Sequence, residues 1–315
     1  GTFGNGYTYI YDNSYENIID SIWYSEKEFE KLFYFIEPRI SIMYKLYENK
    51  SLKISYARTN QGLHLLSNTS VSLPKDIWIP ADRNINPVKS DIFSIGFQQT
   101  LNFQKNIIIS IESYYKKQYN IIDYVDNADL KMSKDLPAQI KHGKKLAYGI
   151  EAMIEKNYGK LTGWISFCFS HVKQKVKDIN EGNFYFPKYE KPYSLSLLLN
   201  CNLSKRVSVN SVFKFSSGGY ITVPYGVFYY NGGVFNYYNK RNEYELPFYH
   251  RLDIGVKISS KETKKLKNEW NIGIYNVYNR KNIFSLYSMP VQSSIKVYKM
   301  YVFGITPYIT YSLKF

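Results

Sequence analysis

Long stretches in which apolar and polar residues alternate are the feature that most restricts how this chain can fold. The stretch YSLSLLLNCNL at 193–203 has tyrosine, leucine or cysteine at every odd position and mostly serine or asparagine between them. Successive side chains of a β-strand point to opposite faces of a sheet, so this pattern predicts a strand with one apolar and one polar face. Similar stretches recur about eleven times between residues 34 and 315. Most exceed the ~5–6 residues of an average soluble strand and fit the ~9–11 that cross a membrane.

The connections between these stretches alternate between short and long. Short turns are predicted near Asn49, Lys105, Gly159 and Lys205 and in the basic segment 260–268. Barrels of outer membranes have short turns on one side and long loops on the other, an asymmetry that a soluble β-sandwich does not need. The long connections are predicted at 59–90, 119–145, 174–190, 218–248 and 281–298.

The charged residues of the alternating stretches decide which face meets which solvent. Glu112, Glu151, Lys214 and Arg251 all fall on the polar face. Burial in a dry core costs several kcal/mol for each unpaired charge, whereas a water-filled lumen accepts them. We therefore expect the polar face to line an interior and the apolar face to contact lipid.

Composition is consistent with this reading. Charged residues make up 21% of the 315 residues and aromatic residues 18%, with tyrosines near several predicted strand ends, as in the aromatic girdles of membrane barrels. No apolar run reaches the about 18 residues of a membrane helix. The net charge of +15 suits anionic partners, but the lysines are spread over turns and loops, so we expect no nucleic-acid binding.

Several segments resemble the C-terminal part of a TonB-dependent outer-membrane receptor. YHRLDIGVKI at 249–258 is similar to a late barrel strand of that family, and NEWNIGIYNVYNRKNIF at 268–284 is similar to the stretch that follows it. KPYSLSLLLNCNL at 191–203 is similar to another family strand, and SLKISYARTNQGLHLLSN at 51–68 to the middle of the barrel. The terminal YSLKF at 311–315 resembles the signal read by the outer-membrane assembly machinery. The residues expected to form the signal are Phe315, Leu313, Tyr311 and, two positions before it, Ile309.

The resemblance implies an all-β fold, an antiparallel up-and-down transmembrane β-barrel. We count about eleven to twelve strands, part of a barrel of the 22-stranded type. Residues 33–315 are expected to form the C-terminal half of the barrel, and residues 1–32 an extracellular loop or partial strand. The family's plug domain has no counterpart here, and the sequence starts without a signal peptide, so we expect a fragment of a longer parent.

The function that the resemblance implies is energy-coupled uptake of a scarce nutrient across the outer membrane. The nutrient is an iron chelate, a cobalamin or an oligosaccharide. The implied partners are outer-membrane lipid, the missing plug and N-terminal barrel half, the TonB complex acting through that plug, and the assembly machinery. The alternatives are a self-contained barrel of about twelve strands, acting as a passive pore or lipase, and a soluble β protein with a basic surface.

Aromatic and cationic residues in the long connections are the candidate ligand contacts. Aromatic rings beside lysine and arginine suit anionic chelates, sugars or planar cofactors. Packing of the loops on one another would explain the same residues equally well. The candidates are Trp78, Arg83, Tyr225, Tyr229, Tyr230 and Tyr237.

No motif of an enzyme or a metal site is present, and we expect no catalytic residue, metal or cofactor. The one arrangement worth testing is Ser170 beside His171, which a lipase could place on the lipid-facing side. Cys168 and Cys201 fall on opposite faces of the predicted sheet, so we expect two free thiols.

Overall fold

The computed structural model describes residues 2–3, 6–12, 17–25, 28–66, 77–101, 107–125, 136–260, 267–291 and 294–314. The described part of the chain is almost entirely β, and its two short 3₁₀ helices cover Leu136–Gln139 and Asn180–Gly182. Its strands are, in chain order, β1 Thr2–Phe3, β2 Gly6–Tyr11, β3 Ile18–Tyr24, β4 Phe29–Lys31, β5 Arg39–Tyr47, β6 Lys50–Gln61, β7 Leu63–Leu66, β8 Ile77–Pro80, β9 Val88–Leu101, β10 Ile107–Tyr124, β11 Ile140–Lys156, β12 Leu161–Val176, β13 Tyr193–Asn202, β14 Val207–Ser216, β15 Tyr220–Ile221, β16 Gly226–Tyr230, β17 Gly233–Tyr237, β18 Tyr244–Glu245, β19 Tyr249–Ser259, β20 Lys267–Tyr275, β21 Ile283–Val291, β22 Ser294–Tyr301 and β23 Thr306–Lys314.

Eleven of these strands form one antiparallel sheet, which confirms the predicted fold class. The order across the sheet is β5, β6, β9, β10, β11, β12, β13, β14, β19, β20 and β23. Each strand lies next to its neighbour in this chain order, as in an up-and-down barrel. The other strands form small two-stranded pairs, most of them within the long connections. We call the end of the strands at which the long connections lie the loop end, and the opposite end of the strands the turn end.

The register of the sheet keeps one face apolar across all eleven strands. Leu197 of β13 lies opposite Ile165 of β12 and Phe213 of β14. One residue earlier, Ser196 lies opposite Ser166 and Lys214 on the other face. A shift by a single residue would exchange the two faces, so the alternation itself fixes the register.

The described residues form no second layer over the apolar face in the middle of the sheet. Ile150 remains 47% exposed, Phe167 42% and Leu199 37%, although each lies inside a long, fully paired strand. A soluble β-sandwich would bury such side chains between two sheets. Leucines 195–203 are therefore not hidden in a sandwich core within the described chain.

The buried apolar residues of the described chain gather instead at the loop end. One cluster contains Leu66, Ile79, Ile85 and Ile140, and a second contains Ile121, Val176, Ile179 and Tyr185. The second cluster joins the ends of β10 and β12 to the connection between β12 and β13. The loop end thus has a core of its own, which the rest of the sheet lacks.

Two predicted boundaries differ from the structure. The connection predicted at 119–145 is shorter, because β10 continues to Tyr124 and β11 already begins at Ile140. Both extensions are held by the loop-end core, and β10 passes through an irregularity at Asn120, whose φ is 58°. The first strand of the sheet begins at Arg39 rather than residue 34, directly after Pro38, which has no N–H to donate.

The described residues of the segment 1–32 lie outside the large sheet. Among them β2 pairs with β3 and β1 with β4, so these strands add no twelfth strand to the sheet. The segment contacts the connection between β8 and β9 instead. The side-chain amide of Asn84 donates to the carbonyl oxygen of Tyr9 at 3.1 Å, and Arg83 donates to the Tyr24 hydroxyl at 3.4 Å.

Candidate functional site

The loop end is the candidate functional site, and the structure divides the predicted contact residues between two hairpins. Trp78 lies in the β7–β8 hairpin and is 56% exposed, and Arg83 follows it in the connection to β9. The four tyrosines lie on or beside the β16–β17 hairpin, between β14 and β19. The two groups belong to connections at different places along the sheet.

The β16–β17 hairpin presents an aromatic face. Phe228 and Phe235 are directly opposite each other, with ring centroids 5.7 Å apart. By strand alternation Tyr230 and Tyr237 share this face, whereas Tyr229 lies on the opposite one. Of the predicted tyrosines, Tyr230 and Tyr237 are thus grouped with two phenylalanines on one platform.

A polar cluster joins four segments of the loop end. Asp123, near the end of β10, accepts from Arg241 at 3.0 Å and from the Tyr185 hydroxyl at 2.6 Å. Gln174 of β12 donates to the same carboxylate at 3.2 Å. We call these four residues the Asp123 cluster. It joins β10 and β12 to the two long connections 177–192 and 217–248.

Arg241 also ties its connection to Tyr124. Its guanidinium donates to the Tyr124 carbonyl oxygen at 2.7 Å and lies 4.6 Å from the ring centroid. Lys188 approaches the same tyrosine, with its ammonium 3.2 Å from the hydroxyl. Burial lowers the pKa of Lys188 to about 8, while the nearby Asp123 carboxylate raises it. Burial, with the Asp123 charge beside it, raises the pKa of the Tyr185 hydroxyl.

A buried glutamate attaches the connection 177–192 to the last part of β12, which extends beyond its pairing with β13. The Glu190 carboxylate is 1% exposed and accepts the backbone N–H of Val172 at 2.9 Å. The His171 ring nitrogen lies 3.8 Å away. Burial raises the pKa of Glu190 to about 7, and the Val172 N–H opposes that rise. Further up the strand, Gln174 and Tyr185 exchange backbone hydrogen bonds, so the connection continues the sheet beyond β13.

A cavity of about 220 Å³ lies between the connections 177–192 and 217–248. Its lining is mostly aromatic and cationic, a combination that suits an anionic or planar ligand. The lining includes His171, Lys173, Phe184, Phe186, Lys240 and Arg241.

The lipase arrangement is absent. Ser170 and His171 are adjacent in β12 and point to opposite faces. The Ser170 hydroxyl instead accepts the Tyr114 hydroxyl at 3.0 Å, and His171 faces Glu190. Cys168 and Cys201 are free thiols, as predicted. The described residues include no cluster of three or more histidine, cysteine or carboxylate side chains that could hold a metal ion.

Sequence reasoning missed the residues that organise this site. Asp123 and Arg241 are separated by more than a hundred residues, and neither stands in a motif. Glu190 precedes a recognised strand but has the appearance of an ordinary loop carboxylate. The sequence does carry a weak indication of this site, because arginine, aromatic and carboxylate residues recur in the long connections.

The family model described as "TonB dependent receptor-like, beta-barrel" matches residues 2–279. The chain belongs to this family. A comparison with curated proteins finds no match.

Solved structures agree with the barrel of this TonB-dependent receptor. FpvA of P. aeruginosa bound to heterologous pyoverdines is similar at a TM-score of 0.57 and 13% identity, over 93% of this chain and 33% of that one. The ferric yersiniabactin uptake receptor FyuA of Yersinia pestis is similar at 0.54 and 13%, over 88% and 37%. The ferric-catecholate import receptor Fiu of E. coli K12 is similar at 0.53 and 13%, over 87% and 34%.

The chain therefore spans about a third of the length of these structures. At such low identity the likeness shows the fold alone. Family and neighbours are receptors for transport rather than enzymes. No helix in the described ranges has the length and apolar character to cross a membrane.

Proposed function

We propose that this chain forms the C-terminal half of the barrel of an outer-membrane receptor for energy-coupled nutrient uptake. The observation that carries the proposal is the single-layered, eleven-stranded sheet, which has one apolar face and all its long connections at one end. Its match to the family's barrel adds to this. In this assignment residues 33–315 are barrel, residues 1–32 belong to the outer surface, and the apolar face contacts outer-membrane lipid.

The direction of the edge strands supports completion by a partner. β5 runs from Arg39 at the loop end to Tyr47 at the turn end, and β23 runs the same way from Thr306 to Lys314. Direct closure of the sheet would therefore pair two parallel strands. Up-and-down membrane barrels have antiparallel neighbours throughout, and open edges do not occur in the hydrocarbon region. An odd number of further strands satisfies both requirements. Because the described part of residues 1–32 lies outside the sheet, it does not supply a twelfth strand, which disfavours the self-contained pore of about twelve strands.

An anionic ferric chelate is the nutrient that the loop end suits best among the three classes. The platform of Phe228, Tyr230, Phe235 and Tyr237 offers stacking surface. Trp78 and Arg83 offer an indole and a cation in a different connection, between β6 and β9. The similar structures include a ferric-catecholate import receptor, a ferric yersiniabactin uptake receptor and a ferric citrate transporter, which makes this class the first to test.

The remaining partners follow from the same proposal. TonB would act through the plug of the complete receptor. The assembly machinery would read β23, whose Ile309, Tyr311 and Leu313 are exposed on the apolar face. Phe315, the last residue of that signal, lies outside the described residues.

The test is uptake by cells. The complete receptor is restored to a deletion strain, and cells are given radioactive iron as ferric catecholate, hydroxamate or citrate chelates, with labelled cobalamin in parallel. We expect accumulation of one ferric chelate that stops when the proton gradient is collapsed. Gradient-independent uptake of many small solutes would identify a passive pore and contradict the proposal.

A further inference from the structure

A group of lysines lies on the apolar face, directly beyond the apolar part of four adjacent strands. Along β10 this face reads Ile109, Ile111, Ser113 and Tyr115, and then changes to Lys117. On the same face β12 becomes basic at the level of Lys117, whereas β9 and β11 become basic one row further toward the loop end. We call the five side chains Lys89, Lys117, Lys144, Lys173 and Lys175 the lysine ladder.

The register places the ladder on two neighbouring rows. Lys117 is opposite Leu146, which is opposite Lys173. On the next row Tyr119 separates Lys89 from Lys144, and Lys144 is directly opposite Lys175. Neighbouring strands are about 4.8 Å apart, so the five lysine positions span about 15 Å across the four strands.

Such a concentration of like charge is unfavourable without a counter-ion. Directly opposed like charges destabilise a strand pair, and Lys144 with Lys175 is such a pair. Asp91 is the acidic residue within the ladder rows, and it is already engaged by Arg58 and by the Tyr56 hydroxyl, each at 2.7 Å. Lys144 and Lys175 line a surface groove to which the connection 177–192 contributes two carboxylates, Asp178 and Glu181. Asp178 lies 3.7 Å from Lys141.

Aromatic contacts hold the lysines over this surface. The Lys117 ammonium lies 4.9 Å from the Tyr119 ring centroid. Phe184 of the connection 177–192 lies beneath two members, with Lys173 at 5.1 Å and Lys175 at 6.0 Å from its ring. Lys144 and Lys175 are exposed, and the other three are half-buried.

Lysines near a membrane surface commonly extend their ammonium groups toward water. This general tendency does not account for the ladder, because the ladder occurs at only one end of the strands. At the turn end of the same four strands, the apolar face carries Leu101, Ile107, Lys156 and Gly163 among the described residues. At the loop end of β13, β14 and β19 that face carries Tyr193, Phe215 and His250 rather than lysine. The ladder is thus local to one end of four strands.

We infer that the lysine ladder binds the phosphate groups of an anionic membrane lipid at the loop-end surface of the bilayer. The ladder is continuous with the apolar face, so a lipid whose chains lie against Ile111 and Ile150 would have its headgroup at the ammonium groups. Phosphate oxygens accept charge-assisted hydrogen bonds from several lysines at once. The inference rests on the membrane placement proposed above but not on ligand uptake.

The test is equilibrium binding of fluorescent cardiolipin, which carries two phosphates, to the complete receptor in neutral detergent. Lys144→Gln with Lys175→Gln should weaken binding about tenfold or more, since charge-assisted bonds are lost. Lys156→Gln, on the same face of β11 at the turn end, is the matched control and should bind as the wild type does. Lys89→Gln with Lys173→Gln is measured in parallel, in case the first pair disturbs assembly.

Three competitors separate the possible sources of the phosphate group. Unlabelled cardiolipin should displace the probe, while phosphatidylcholine and millimolar inorganic phosphate should not. Displacement by inorganic phosphate would identify a free-anion site and overturn the inference. Unchanged binding in both double variants, or an equal loss in Lys156→Gln, would overturn it as well. Uptake of the nutrient should persist in Lys144→Gln with Lys175→Gln, neither of which lines the cavity between the connections 177–192 and 217–248, so failure here is distinguishable from failure of the proposed function.

Discussion

The middle of the sheet and its loop end are stabilised in different ways, although the same strands pass through both. In the middle, Ile150, Phe167 and Leu199 are well exposed, and strand pairing is the main contact within the chain. At the loop end, Val176 and Ile179 are fully buried and charged groups are paired inside. The proposed contact of the middle with lipid would produce this difference, because lipid would supply the apolar environment there, whereas the loop end has a core of its own.

The largest expected effect comes from breaking the Asp123 cluster. Arg241→Ala leaves a buried carboxylate without its cation, and we expect the loop end to lose about 3–5 kcal/mol of local stability. Hydrogen exchange of the connections 177–192 and 217–248 should quicken, while that of β13 stays unchanged.

The control for this change is Lys240→Ala. Lys240 pairs with Glu243 at 3.7 Å, but both side chains are more than half exposed, and such pairs contribute about 0–1 kcal/mol. Equal effects of the two variants would show that the loop end has no core that depends on buried pairing.

A charge placed in the middle of the apolar face should have the next largest effect. Leu197→Lys is expected to cost about 2–4 kcal/mol in a lipid bilayer, because the charge meets hydrocarbon. Ser196→Lys, on the adjacent residue of the polar face, should be close to neutral. The measurement is the free energy of unfolding of the complete receptor in bilayers, and equal costs would contradict the assignment of the two faces.

The Glu190 contact predicts that the loop end responds to pH. Its pKa of about 7 is raised above the ordinary value, so the protonated form is favoured where the connection is docked. Docking of the connection 177–192 is therefore most stable below the ordinary pKa of the carboxyl. Its stability falls as pH rises through about 7, by roughly 2–3 kcal/mol. Hydrogen exchange of 177–192, corrected for intrinsic rates, should show this loosening between pH 5 and pH 8.

Glu190→Gln separates the charge from the hydrogen bond. Its side-chain oxygen can still accept the Val172 N–H, but it does not titrate. We expect docking of 177–192 to become independent of pH over this range. If Glu190→Gln kept the full pH response, the pH dependence of docking would arise from another titratable group.

The smallest expected effect concerns ligand contact. Tyr230→Ala removes a ring from the aromatic platform and should weaken binding of the nutrient by about 1 kcal/mol, or roughly fivefold. Tyr229→Ala, on the opposite face of the same hairpin, should leave affinity unchanged. Calorimetric titration of the chelate identified by uptake is the measurement, and a loss confined to Tyr229→Ala would place the ligand on the other face.

The strands of the sheet could be predicted from the sequence, whereas the contacts of the loop end could not. Alternation is a local property, so stretches such as 193–203 could be assigned to strands and faces without any long-range information. The contacts of Asp123 depend on where two distant connections meet, and no local pattern encodes that meeting. For the same reason, the tyrosines of the β16–β17 hairpin were found as a group, but their division between two faces was not.

Contact of the apolar face with lipid is the central claim, and quenching by brominated lipid tests it most directly. Single fluorescent labels are placed at each of residues 194–199 in the complete receptor, reconstituted in bilayers whose acyl chains carry bromine. We predict strong quenching at 195, 197 and 199 and weak quenching at 194, 196 and 198. Uniform quenching, or the opposite alternation, would contradict a sheet whose apolar face meets lipid.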